Sequence, residues 1–194
     1  MNNNNSIINS INNVRHLINN SILLLRDLDA ALSKGGFQPL NGNALGTETS
    51  KNINQSMSQY STFFPQYIAR QYVLTEEIIT KKVNRILFTN IQFFHGDYEE
   101  IPPTFINSVM IFPEPIENVK TYIENWWLKY TVFEDKGWEG ILKNGVLNED
   151  IDEEGIRTTF WCRDLLSING QKELLEEAEK LILMFSDSKI NTQG

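Results

Sequence analysis

Residues 84–94 read NRILFTNIQFF, and residues 104–112 read TFINSVMIF. In an extended chain successive side chains point to opposite faces. The first stretch then sets Ile86, Phe88 and Phe94 on one face and Leu87, Ile91 and Phe93 on the other. Apolar residues on both faces predict an interior strand, covered on each side. His95-Gly96-Asp97 begins a turn, and the second stretch returns as the antiparallel partner. Pro102 and Pro103 precede this second strand, and Pro113 and Pro115 are expected to end it, because proline cannot donate to a ladder.

Working outward, residues 67–75 read as a strand that starts after Pro65, and 157–166 as a strand of mixed polarity. Residues 117–133 carry Val119, Tyr122, Ile123, Trp126, Trp127, Tyr130 and Phe133 at steps of three and four, the period of a helix. Residues 171–185 repeat that spacing with Leu174, Leu175, Ala178, Leu181, Ile182 and Phe185.

The N-terminus predicts one long helix over residues 6–34. Ile7, Ile11, Val14, Ile18, Leu25, Leu28 and Leu32 form a heptad-like seam, with Ser21 filling its one gap. Gly35-Gly36 marks the stop. Such a helix either packs on the protein's own sheet or pairs with a second chain. Ile11, Val14, Ile18 and Leu25 are therefore candidate interface positions. Trp127 and Trp138 join them, because tryptophan buries a large area while keeping a donor. Asn12, Asn13, Asn19 and Asn20 are poor helix formers, so the helix needs packing to persist.

The expected architecture is α+β: an antiparallel sheet of about four strands, with the long N-terminal helix and two further helices packed on it. The chain divides into the helix (1–34), a polar Gly/Asn/Ser/Thr-rich loop (35–62), the α+β core (63–186) and a flexible tail (187–194).

The polar loop gathers Asn41, Asn43, Thr47, Glu48 and Lys51, short polar side chains that can bind a ligand or make turns. It is not a phosphate loop: Gly42 and Gly46 are one residue too close, and Thr47 stands where the lysine belongs. The acidic run Asp150-x-Asp152-x-Glu154-Gly155 opens like a calcium loop, but its twelfth position is Trp161. His16 and His95 lie on different elements, and Cys162 has no neighbouring cysteine, so no metal site and no cofactor are expected. A spatially assembled site using His95, Cys162 or Arg157 is the enzymatic alternative.

The net charge is −8, and it is unevenly placed. Residues 1–100 hold 8 basic and 8 acidic side chains, whereas residues 101–194 hold 9 and 17. No basic cluster is present to neutralise nucleic-acid phosphates. An acidic half suits a basic protein partner. A lone cysteine fits a reducing compartment, and no apolar run near the start is long enough to span a bilayer, so a cytoplasmic location is expected. The expected function is that of a non-enzymatic acidic interaction protein, inhibitor- or immunity-like, with a homo-oligomer through the N-terminal helix as one form of it. The alternatives are a small-ligand sensor that uses residues 41–51, and the enzyme.

Overall fold

The computed structural model describes residues 3–47, 65–95, 98, 100–124, 127–133 and 138–188. Helix α1 (Asn3–Ser33) is followed by strands β1 (Phe37–Pro39), β2 (Gly46–Thr47) and β3 (Tyr67–Leu74). A short α2 (Thr75–Thr80) leads to β4 (Val83–Gln92) and β5 (Thr104–Ile116). Three short helices follow: α3 (Val119–Tyr122), α4 (Trp127–Phe133) and α5 (Trp138–Ile141). The chain closes with β6 (Asn148–Ile151), β7 (Arg157–Asp164) and α6 (Gln171–Asp187).

The fold is α+β, and its sheet has seven strands rather than four. The order is β1-β3-β4-β5-β7-β6, with β2 also on β3, and every pairing is antiparallel. The four expected strands are its centre. The three additional ones are edge pieces of two to four residues, too short to show a period. β1 and β2 act as one interrupted edge strand, pairing Phe37 with Leu74 and Gly46 with Ala69. Part of the expected 35–62 loop is therefore sheet, and residues 48–62 lie outside the described residues.

Each central strand is buried on both sides because helices cover both faces. Leu87, Ile91, Phe105, Val109 and Trp161 meet Leu25, Leu28 and Leu32 of α1 and Leu174, Leu181 and Phe185 of α6. On the other face Ile86, Phe88, Ile106, Met110 and Phe160 meet Val119, Leu128, Val132 and Phe133. The helices form two layers with the sheet between them.

Two further expectations are corrected. The helix expected over 117–133 is broken: Ile123 is extended (φ −88°, ψ 122°), which ends α3 while burying its side chain in the second core. β5 runs on through Pro113 and Pro115. Between the Arg85–Ile111 and Val83–Ile116 pairs it carries extra residues, and this exposed bulge needs no ladder donor from the prolines.

Gly35 serves the junction between α1 and α6. A Cβ there would stand 3.0 Å from Cδ1 of Ile182, so a larger residue would require that side chain to shift by a few tenths of an ångström. Arg85 fixes the far end of α6: its guanidinium lies over the Phe185 ring at 3.9 Å, and its Nη1 donates to the Phe185 carbonyl. A cation at the last carbonyls of a helix also complements its dipole.

Candidate protein-interaction site

α1 has two halves with opposite surroundings. From Ser21 onward its seam is core: Ser21, Leu25, Leu28 and Leu32 are all buried. Ser21 is tolerated in the seam because its Oγ donates to the Leu17 carbonyl at 2.9 Å. Residues 4–16 are exposed on every side, so at 1.5 Å per residue about 20 Å of helix stands clear of the sheet. On this arm Ile7 is 60% exposed, Ile8 54%, Ile11 53% and Val14 42%. Ile18 is half-buried, where the stripe passes into the core.

Single exposed apolar residues are ordinary, but a continuous stripe of them on a projecting helix is a candidate contact surface. The arm is also acid-free: the first acidic residue of the chain is Asp27. Its only charged side chain is Arg15, and its polar faces are asparagine and serine.

The other expected interface positions fall elsewhere. Leu25 is 1% exposed and belongs to the protein's own core, so it is not available to a second chain. Trp127 is half-buried against the second core, its ring 5.6 Å from that of Tyr122. Trp138 opens α5, and its side chain lies outside the described residues.

The candidate ligand residues are dispersed. Asn41 Nδ2 donates to Gln71 Oε1 at 3.3 Å, and Thr47 is exposed in β2. Glu48 and Lys51 lie outside the described residues. Asn43 lines a cavity of about 350 Å³ together with Arg26, Asp29, Leu45 and Arg70. There Arg70 clamps Asp29 with two bonds, Nε to Oδ1 at 2.7 Å and Nη2 to Oδ2 at 2.5 Å, and its Nη1 donates to the Ala44 carbonyl at 3.0 Å. Sequence reasoning passed over this pair. Its signal was Arg70 itself, a charge inside the apolar strand YIARQYVL, which burial obliges to find a partner.

Of the three enzymatic candidates, Arg157 opens β7 half-buried, and Cys162 and His95 are buried. Cys162 is buried in the second core, and burial pushes its thiol up to about 12, away from the thiolate that nucleophilic chemistry requires. The buried His95 ring packs against Tyr98 and Phe133, at 4.8 and 5.4 Å. In the acidic run, Asp152 Oδ1 accepts from the backbone of Glu154 and of Ile156, both at 2.9 Å, and so shapes the β6–β7 turn. Among the described residues no group of three or more His, Cys, Asp or Glu side chains could hold a metal ion, and no helix is long and apolar enough to cross a membrane.

Compared with models of known protein families, with curated proteins and with solved structures, the chain shows no match.

Proposed function

We propose that this is a non-enzymatic interaction protein that holds a protein partner along the exposed stripe of α1. The observation that carries the reading is one helix whose apolar seam is half core and half bare. The buried half anchors the helix in the sheet, so the arm is nucleated without a partner. The asparagines of the bare half favour fraying, and covering Ile7, Ile11 and Val14 would offset that tendency.

A photoreactive amino acid at position 11 tests this in cells that express the protein, with position 79 as the control. Ile79 is 75% exposed but lies on the short helix α2, away from the stripe. The reading expects a covalent polypeptide adduct from position 11 and none from 79. Equal yields from both positions, or none from either, contradict it.

The cavity beside Asn43 supports a second reading, a small polar ligand held between α1 and the β1–β2 connection. It is the weaker reading, because the donors Arg70 directs at Asp29 and Ala44 are already used within the protein. Native mass spectrometry separates the two: a small mass lost on denaturation supports the ligand reading.

A further inference from the structure

We infer that the partner of the α1 stripe is a second copy of this chain, with the two arms packed antiparallel; this rests on the interaction reading above. The steps from Ile7 to Ile11, Val14 and Ile18 are four, three and four, a repeat that lets a second helix pack along the bare stripe as the sheet packs along its continuation at Leu25, Leu28 and Leu32. The stripe is self-complementary about its midpoint. An antiparallel pair sets Ile7 opposite Ile18 of the partner subunit and Ile11 opposite Val14 of the partner subunit. Arg15 then faces Ser10 of the partner subunit, so no like charges meet along the seam.

Charge selects the orientation. The arms carry no acid, while all 25 acidic side chains lie from Asp27 onward. Arms can therefore approach one another without acid–acid repulsion. A parallel pair would bring both acidic bodies to the same end, whereas an antiparallel pair holds them at opposite ends. Residues 3–18 span about 24 Å on a helix about 10 Å wide. A face of that size buries less than the ~1,200 Å² of a standard interface, so the dimer is reversible and concentration-dependent.

Sedimentation velocity of the full chain over a concentration series tests the inference. The wild type is expected to move from monomer to dimer as concentration rises. Ile11→Asp and Ile7→Asp are each expected to stay monomeric with an unchanged melting temperature, because neither side chain touches the folded body. A wild type that stays monomeric at every concentration overturns the inference, as does a dimer that survives both substitutions. The position-11 adduct separates the two levels of the account. A monomer that crosslinks to a different polypeptide ends self-pairing but keeps the interaction reading, and no adduct ends both. Spin labels on Ile7→Cys read the orientation. Antiparallel arms offset the two labels by 11 residues, about 16 Å along the axis, and labels side by side overturn the antiparallel arrangement.

Discussion

Glu177 on α6 holds the indole of Trp161 on β7, whose Nε1 donates to Oε2 at 2.6 Å. The same Oε2 accepts from Asn107 Nδ2 at 2.9 Å, and Oε1 accepts from Arg163 Nη1 at 3.0 Å. Asn107 Oδ1 in turn accepts from Thr89 Oγ1 at 2.8 Å. One buried carboxylate thus ties three adjacent strands to the helix above them. Arg163 pairs with it, and each of its oxygens receives a hydrogen bond, so the buried carboxylate is fully partnered.

Glu177→Ala should cost about 3–5 kcal/mol, the usual loss when one member of a buried charge pair is removed. Glu177→Gln should cost about 2–3 kcal/mol, because its amide NH₂ must face either the Arg163 guanidinium or the two neutral donors. Urea denaturation read by tryptophan fluorescence checks both. A loss below ~1 kcal/mol for the alanine variant would show that the network is dispensable.

The Arg70–Asp29 clamp joins α1 to β3, and its members differ in exposure. Arg70 is buried, whereas Asp29 reaches solvent. Asp29→Ala should therefore cost about 2–4 kcal/mol, because it strands a buried cation. Arg70→Met should cost less, since the carboxylate it frees can be hydrated. Chemical denaturation of the two variants in parallel checks the order, and the reverse order contradicts the account.

Cys162 makes a pH-dependent contribution. The thiol titrates near 9.0 in the unfolded chain, and burial raises it to about 12 in the fold. The fold favours the neutral thiol, so the contribution is complete below pH 9 and is lost as pH rises from 9 towards 12. Cys162→Ala should flatten the fall in stability over that window. At pH 8 the native thiol should react with a disulfide reagent about a thousandfold more slowly than the unfolded one, from its thiolate fraction alone. Equal labelling rates in the native and unfolded chains would contradict this.

Tyr122 Oη donates to Glu154 Oε2 at 2.5 Å, tying α3 to the β6–β7 turn. This bond, with burial adding less, pushes the phenol up to about 12. The neutral phenol is the form the fold favours, so the tie is complete below pH 10 and is lost between 10 and about 12. Tyr122→Phe should cost below ~0.5 kcal/mol at neutral pH, because the site is open to water. It should also remove one late-titrating tyrosine from the phenolate absorbance curve. An unchanged curve would place the late titration on other tyrosines.

The centre of the fold was legible in the sequence because its strands are long and apolar on both faces. Ile86, Leu87, Phe88 and Ile91 required cover on two sides, and they have it. The edges were not legible. Gly46–Thr47 is too short for a period, and Asn148–Ile151 is as acidic as a loop. The break at Ile123 was hidden because Val119, Ile123, Trp127 and Phe133 of the expected stripe all reach the second core, although Ile123 lies in the extended link between two short helices. The seam of α1 was legible as a heptad. Its division was not, because no residue in the sequence says where a helix leaves the sheet beneath it. Ser21, which read as a gap, sits in the buried half and satisfies itself on the preceding turn. The Glu177 network was invisible, since its members lie far apart in the chain and meet only once β5, β7 and α6 are stacked.

The central claim is that the bare half of α1 is an interface for a second copy of the chain. Hydrogen exchange of the amides between Asn9 and Arg15, followed over a range of protein concentration, tests it most directly. The account predicts protection that rises with concentration while the amides of Leu25 to Leu32 stay protected throughout. Exchange between Asn9 and Arg15 at an unchanging rate, whatever the concentration, would contradict it.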